Sequence, residues 1–153
     1  MNILKNLNNR LSTVDGAACY GGEEDVKKVI SETPIHLPED YIEFLKEISG
    51  GDDVGISFLV DDGEAEIAIW NASMALEKRD EFSAPYLQDF MEKTWLVGDD
   101  LGDLVYFYGE GKDGFGLYRV GAGILSIVDA VKIADSLTDF LVKGVGIDVA
   151  TSL

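Results

Sequence analysis

The sequence predicts a single α+β domain, and three observations lead to this prediction. Its 153 residues suit one domain that buries roughly 70% of its unfolded surface. Its periodicity changes in blocks (two helices, strands, two helices, strands, one helix), with too few strand–helix alternations for a doubly wound sheet. Finally, the run Glu64–Ile69 follows the turn Asp61-Asp62-Gly63 and begins with alternating polar and apolar residues. That pattern is typical of a half-buried strand in an antiparallel hairpin.

The best-defined element is a helix over residues 38–49. Pro38 suits its first position, and Glu39 and Asp40 place negative charge against the positive end of the helix dipole. An apolar stripe recurs at three- and four-residue spacing. We expect Gly50-Gly51 to end the helix in the left-handed conformation. The stripe consists of Tyr41, Phe44, Leu45 and Ile48.

The first half of the chain divides around this helix. Residues 1–21 have weak periodicity and predict a short helix or a loosely attached N-terminal arm. A first helix should begin at Glu23 and end at Thr33-Pro34, and residues 54–60 are β-branched and apolar enough for a strand. The apolar face expected for the first helix comprises Val26, Val29 and Ile30.

The second half predicts two helices, several strands and a closing helix. Asn71 can cap a helix toward Arg79, and Ser83-Ala84-Pro85 opens another. The glycines of 109–114 suit a hairpin loop, and Asp129 is a candidate cap for a final helix carrying Ile133, Leu137, Phe140 and Leu141. Residues 144–153 have no helical period and predict a C-terminal tail. Strands are expected at about 95–98, 103–108 and 115–120, with a further one at 124–128.

Three blocks resemble one family, the Smi–Knr-like branch of the SUKH superfamily, which contains cell-wall assembly regulators and bacterial toxin-immunity proteins. The first is Leu37-Pro38, Tyr41 and Phe44-Leu45 with the Gly50-Gly51 exit. The second is the run 97–103 leading into Val105-Tyr106-Phe107-Tyr108, and the third is Ser136-Leu137 with Phe140-Leu141. The resemblance covers roughly residues 22–143. It implies a central, twisted, mostly antiparallel sheet with flanking helices.

Charge is the most informative bulk property. Twelve basic and twenty-nine acidic residues leave a formal net charge of −17, which repels phosphate backbones and argues against a nucleic-acid partner. The same field speeds encounter with a basic protein, although acidity can also serve solubility alone. No apolar run is long enough to span a bilayer, and no secretory signal is recognisable. We therefore expect a cytoplasmic protein with no membrane partner and leave its oligomeric state open.

Few residues suit catalysis. His36 is the only histidine and Cys19 the only cysteine, so a zinc site of the usual His/Cys type is not available. We expect a packed or half-exposed structural role for His36 and a buried or incidental thiol at Cys19. The sequence has no nucleophile elbow and no phosphate-binding loop. It therefore predicts no cofactor, no resident metal and no enzyme activity. A metal-dependent hydrolase using Asp99, Asp100 and Asp103 is the least favoured alternative.

Carboxylates are the candidate partner-binding residues. Residues 36–94 hold fifteen acids and four bases, so this segment contributes −11 of the net charge. Its densest part is the predicted hairpin, where Glu64 and Glu66 should share one face. A solvated sheet face with polar turns is the alternative. Trp70 and Trp95 are expected at strand ends, in the core, at its rim or as interface anchors. The candidate binding residues are Asp52, Asp53, Asp61, Asp62, Glu64, Glu66, Asp99, Asp100 and Asp103.

Taken together, these features predict a non-catalytic protein-binding domain. The resemblance implies an immunity protein that neutralises a bacterial toxin by direct contact. A nuclease-type toxin is the expected partner, because such toxins present basic surfaces for phosphate, which an acidic protein can occupy. A regulatory module acting on an endogenous partner is the alternative that the family's fungal members suggest.

Overall fold

Seven strands form one antiparallel sheet in which every strand pairs with its neighbours in the chain. The computed structural model describes residues 2–15, 18–52 and 54–152. The strand order is β1-β2-β3-β4-β5-β6-β7, an uninterrupted meander. The strands are β1 Leu11–Asp15, β2 Gly55–Val60, β3 Ala65–Trp70, β4 Thr94–Asp99, β5 Leu104–Gly111, β6 Gly114–Gly121 and β7 Val131–Ala134.

Six α-helices in the described residues accompany the sheet, so the α+β prediction is confirmed. The two longest connections carry most of them: α1 and α2 lie between β1 and β2, and α3 and α4 lie between β3 and β4. A 3₁₀ turn over Pro85–Leu87 precedes α4. The helices are α1 Glu23–Glu32, α2 Glu39–Ile48, α3 Ala72–Phe82, α4 Gln88–Met91, α5 Leu137–Leu141 and α6 Ile147–Ala150. None of the described helices is long and apolar enough to cross a membrane.

Helix α2 packs into the core against the middle of the sheet. Its residues Phe44 and Leu45 are fully buried. The Tyr41 ring lies 5.6 Å from that of Tyr108 on β5. The Trp95 indole N–H of β4 donates to the Tyr41 hydroxyl at 2.9 Å. The helix thus contributes both apolar area and a satisfied buried polar contact.

The ends of α2 differ in detail from the prediction. Pro38 is the N-cap rather than the first helical residue, and Ser49 is the C-cap. Gly50 does not have a positive φ. It is needed instead for close approach, because a Cβ there would lie 2.1 Å from the Tyr20 carbonyl oxygen. The glycine therefore admits a neighbouring segment rather than a left-handed cap.

The opposite face of the central strands is also buried. Phe107 on β5 lies 5.1 Å from Phe90 of α4 and stacks on Tyr118 of β6 at 5.7 Å, measured between ring centroids. Trp95 is completely buried and Trp70 nearly so. Both tryptophans therefore belong to the core and are not interface anchors.

The prediction of a helix or loose arm before residue 21 was wrong. Residues 11–15 form β1, which pairs with β2 at the edge of the sheet. The apolar residues that suggested a weak helix are anchored instead: Ile3 and Leu11 are buried. A short edge strand buries few residues, so its sequence carries little alternation.

The C-terminal prediction needs three corrections. No strand forms at 124–128; the seventh strand is β7, which contains Ile133. Ser136 rather than Asp129 caps the following helix, with its Oγ accepting from the Asp139 N–H at 3.1 Å. The tail is also partly helical, because α6 buries Ile147 and Ala150.

Two smaller expectations also change. Ile30, assigned to the buried face of α1, is 52% exposed, whereas Val26 and Val29 are buried as predicted. The expected loop at 109–114 is a tight hairpin, since β5 and β6 remain paired as far as Gly111 and Gly114. By contrast, the Asn71 cap is confirmed: its Oδ1 accepts from the Met74 N–H at 2.9 Å.

Candidate protein-binding surface

The meander brings three loops to one end of the sheet. In an antiparallel meander, alternate connections emerge at the same end of the sheet, as the β2–β3, β4–β5 and β6–β7 connections do here. The register pairs Asp99, the last residue of β4, with Ala68, which lies three residues after the beginning of β3 at Ala65. We call the carboxylates on the first two of these connections, together with Asp99 at the end of β4, the acidic sheet end: Asp61, Asp62, Glu64, Asp99, Asp100 and Asp103.

Asp61 forms an ion pair with Arg10 in addition to contributing negative charge. The Arg10 guanidinium donates to both of its carboxylate oxygens, at 2.9 and 2.7 Å, and also to Asp148 of α6 at 2.9 Å. The hydrogen bonds from Arg10 lower the pKa of Asp61, since they favour the ionised form. The Arg10 guanidinium therefore links the residue before β1 to the β2–β3 turn and to α6.

The β4–β5 loop is ordered by its own carboxylates. Asp100 Oδ1 accepts from the Gly102 and Leu104 N–H groups, at 2.8 and 3.1 Å. Burial raises the pKa of Asp99. Leu101 has a φ of 64°, which an L side chain rarely adopts. Asp99 and Asp100 are thus loop-forming groups as much as surface charges.

Three carboxylates of the acidic sheet end remain available to a partner. Among the described residues, Asp62, Glu64 and Asp103 are exposed and their side chains make no hydrogen bond or ion pair. Glu66 differs, because it is half-buried on β3 opposite Leu59.

The structure separates Asp52 from this group. Asp52 is exposed in the connection between β1 and β2, which emerges at the other end of the sheet. Asp53 lies outside the described residues. The acids clustered at residues 52–66 of the sequence therefore do not form one surface. Strand β2 runs from one end of the sheet to the other between Asp52 and Asp61.

Exposed apolar side chains accompany the acidic sheet end. Leu101, Ile124 and Val128 are 60%, 66% and 80% exposed. The Ala122 N–H donates to the Asp103 carbonyl at 2.7 Å, which ties the β4–β5 loop to the β6–β7 connection. Sequence reasoning missed Ile124 and Val128 because it assigned their segment to a strand. Exposed apolar side chains and carboxylates on loops at one end of the sheet are compatible with a protein-binding surface.

The residues considered for catalysis do not gather. His36 is exposed, which differs from the packed or half-exposed position expected. Cys19 is exposed, so of the two expectations for its thiol the buried one is wrong. Within residues 2–15, 18–52 and 54–152, no three His, Cys, Asp or Glu side chains form a group that could hold a metal ion. Asp99 and Asp100 accept hydrogen bonds from backbone N–H groups of their own loop.

The fold and surface therefore describe a small α+β domain whose most distinctive external feature is a carboxylate-rich sheet end. Comparison with family models identifies the class. Residues 22–143 match the model of the SMI1 / KNR4 family (SUKH-1). The match covers most of the chain, so the chain belongs to this family, and the resemblance seen in the sequence is confirmed. No curated protein is similar enough to the chain to count as a match.

Proposed function

We propose that this chain is a non-catalytic immunity protein that neutralises a basic bacterial toxin, of the nuclease type, by covering its phosphate-binding surface. The observation that carries the proposal is one end of the sheet, whose loops carry three exposed, unpaired carboxylates and the exposed apolar side chains of Leu101, Ile124 and Val128. Membership of the SMI1 / KNR4 family is compatible with an immunity role. The physical mechanism is electrostatic and steric occlusion.

Charge complementarity explains how such a protein would act quickly. A protein with a net charge of −17 attracts a basic surface over distances of about one Debye length, and steering can raise association rates by 10- to 10³-fold at low salt. After encounter, carboxylates form charge-assisted hydrogen bonds with Arg and Lys. The apolar side chains Leu101, Ile124 and Val128 then exclude water around those pairs.

The alternative is a regulatory interaction module whose partner is an endogenous protein. The same surface supports it, because an acidic rim around apolar groups does not distinguish a toxin from another basic protein. The two proposals differ in the consequence of losing the chain. An immunity protein matters only when its toxin is present, whereas a regulator matters in its absence.

A protection assay separates these functions. The chain is co-expressed in a sensitive host with each toxin encoded beside its gene, and surviving colonies are counted. Immunity predicts that one toxin is neutralised and forms a stoichiometric complex with the chain. Survival equal to that of an empty vector with every such toxin, together with a growth defect on deleting the gene alone, would favour the regulatory alternative.

A further inference from the structure

Two neighbouring cavities form a groove away from the acidic sheet end. They are open to solvent and have volumes of about 570 and 690 Å³. Ile35 and His36, in the connection between α1 and α2, line both cavities, so the two adjoin there. Glu110 and Phe115 of the β5–β6 hairpin line the larger one, and this hairpin turns at the opposite end of the sheet from the acidic sheet end. We call the two cavities together the His36 groove.

Both cavities have accessible apolar side chains in their walls. In the smaller cavity, Ile30 of α1 is 52% exposed, and Ile35 and Ile42 are half-buried beside it. In the larger cavity, the Phe115 ring is 39% exposed. Apolar side chains that stay accessible in a concave surface are typical of a binding site.

Contacts within the chain hold the walls of the groove in place. The Thr33 hydroxyl donates to the Ile35 carbonyl at 2.9 Å and accepts from the Ile35 N–H at 3.3 Å, which orders the connection between α1 and α2. The Phe115 ring lies nearly parallel to that of Tyr108, with 6.0 Å between the centroids. A surface that is already ordered costs less to bind, because little conformational freedom is lost.

The two lysines that line the groove already have carboxylate partners. Lys46 Nζ lies 3.8 Å from Glu43, and Lys93 Nζ lies 3.2 Å from Asp89. Their charges are therefore directed to neighbours on their own segments, and they add little positive potential for an incoming group.

Two exposed carboxylates at the groove have no partner. Among the described residues, the side chains of Glu39 and Glu110 make no hydrogen bond or ion pair. Glu39 precedes Ile42 by three residues on α2, so their side chains are neighbours on one helix face. Glu110 is the cross-strand partner of Phe115, so these two side chains share a sheet face. Each cavity thus presents an apolar side chain beside an unpaired negative charge.

We propose that the His36 groove binds a short segment of a protein partner that carries two large apolar side chains flanked by arginine or lysine. The apolar side chains enter the two cavities, and the basic side chains meet Glu39 and Glu110. A guanidinium beside Glu110 also stacks on the Phe115 ring. A second copy of this chain fits less well, because a net charge of −17 repels its own kind. This binding is independent of the proposed toxin neutralisation, which uses the opposite end of the sheet.

The test selects binders from a phage-displayed library of random twelve-residue peptides, with the isolated full chain as bait at about 0.15 M salt. We expect the enriched peptides to combine two or more large apolar residues with a net positive charge. The most enriched peptide is then synthesised and titrated into the ¹⁵N-labelled chain. The backbone amides of Ile35, Ile42 and Phe115 should shift in a saturable manner.

Matched variants test the apolar contacts. Ile30→Gln combined with Phe115→Gln should weaken binding of the synthetic peptide about tenfold, as expected for central apolar contacts. Ile124→Gln combined with Val128→Gln is the control, because it also replaces two exposed apolar side chains but does so at the acidic sheet end. The control should leave the affinity unchanged.

A second pair of variants tests the charges. Glu39→Gln combined with Glu110→Gln should weaken peptide binding about threefold or more, and less so at high salt. Glu24→Gln combined with Glu77→Gln removes the same charge from exposed positions on α1 and α3 and should have little effect.

Three results would overturn the proposal: no enriched peptide, amide shifts confined to the acidic sheet end, or an unchanged affinity in the variant with Ile30→Gln and Phe115→Gln. If that variant is misfolded, Ile30→Gln alone replaces it and should weaken binding about threefold. Sedimentation of the chain without peptide tests the other occupant, because a dimer dissociated by these substitutions would assign the groove to self-association instead. No toxin is present in the selection, so its failure would leave the proposed immunity function standing.

Discussion

Buried tyrosine hydroxyls show how the same chemical group can help or harm the fold. The Tyr108 hydroxyl accepts a hydrogen bond from the Leu137 backbone N–H at 2.7 Å. It therefore provides a partner for the first N–H group of α5. The Tyr106 hydroxyl is buried on the same strand without a hydrogen-bond partner. Burial raises the pKa of both hydroxyls well above the usual tyrosine value, so both stay protonated and uncharged. Only one of them, however, gains a partner.

We predict opposite effects of removing these two oxygens. Tyr108→Phe should lower the free energy of unfolding by about 1–3 kcal/mol, because it leaves the Leu137 N–H unsatisfied in the core. Tyr106→Phe should leave stability unchanged or raise it. Urea denaturation of the two variants provides a matched comparison. Equal losses in both would mean that the Tyr106 hydroxyl has a partner after all.

Glu47 gives a pH-dependent prediction with a definite sign. Its raised pKa means that the folded state binds a proton more tightly than the unfolded state does. Its ionisation therefore costs stability as the pH rises from the usual glutamate value through the folded-state pKa. Glu47→Gln should raise Tm at pH 7.5, and the gain should narrow at pH 4. Burial is the main cause of the raised pKa of Glu47; the Ile3 N–H opposes it, and Glu43 and Lys5 are among the charged groups that modify it.

The control for this prediction is Glu64→Gln, an exposed change of the same charge on the β2–β3 turn. Thermal melts of both variants at the two pH values suffice. A Glu47→Gln variant that melts below the parent at pH 7.5 would show that the carboxylate stabilises the free protein.

At the scale of single elements, α2 joins the helical layer to the sheet. Phe44→Ala and Leu45→Ala should each cost about 2–5 kcal/mol in free energy of unfolding, because both side chains are fully buried. Ile42→Ala on the same helix is the control, since Ile42 is only partly buried. Denaturation losses below 1 kcal/mol for both core variants would contradict the central role of α2.

Arg10, the residue before the edge strand β1, forms ion pairs with Asp61 and Asp148. We expect Arg10→Gln to speed hydrogen exchange in β1 and α6 at neutral pH, because Arg10 joins Asp61 to Asp148. The lowered pKa of Asp61 means that this stabilisation is present above the usual aspartate value. It disappears as the pH falls and Asp61 is protonated. Lys28→Gln, which removes only a 3.9 Å exposed pair within α1, should have no such effect. Unchanged exchange in the Arg10→Gln variant would assign the order of β1 to backbone pairing alone.

Local sequence patterns predicted an element correctly where the apolar residues of the pattern are also the residues that the structure buries. The stripe of α2, the Asn71 cap and the β2–β3 hairpin were predictable for that reason. Ile133, Leu137 and Phe140 misled the prediction, because their three- and four-residue spacing is helical although Ile133 lies in β7. Only the pairing of β7 with β6, a long-range contact, decides that assignment. Tertiary contacts override local periodicity in such short segments.

The candidate site was predictable only in part. The acids were visible in the sequence, but whether Asp52 and Asp62 share a surface depends on the direction of β2. The exposure of Val128 depended on the absence of the expected strand. Glu47 gave no signal, because a glutamate late in an amphipathic helix is ordinarily exposed. Ile3 and Lys5 of the N-terminal segment lie near its carboxylate, and no local pattern predicts the path of that segment.

At the scale of the whole molecule, the strand order brings several acidic loops to one end of the sheet, and their negative charge affects both folding and association. The topology gathers alternate loops, so acids distant in sequence, such as Asp62 and Asp103, reach the same end of the sheet. Like charges gathered in this way repel one another and oppose folding slightly. Neutralising some of them should therefore preserve the fold while weakening association with a basic partner.

The most direct measurement is the association rate of the chain with the toxin from which it protects, at two ionic strengths. The test variant carries Asp62→Asn, Glu64→Gln and Asp103→Asn, which leaves Asp61 paired with Arg10. The control carries Glu24→Gln, Glu77→Gln and Asp80→Asn, three exposed acids on α1 and α3. Each variant changes the net charge from −17 to about −14, so bulk charge is matched.

If the acidic sheet end meets the toxin, the test variant associates about tenfold more slowly at low salt, and its rate depends less steeply on salt. The control variant retains most of the parent's rate. Equal slowing of both variants would mean that only the bulk charge of the chain matters. A parental rate and salt dependence in the test variant would contradict the assignment of the binding surface to the acidic sheet end.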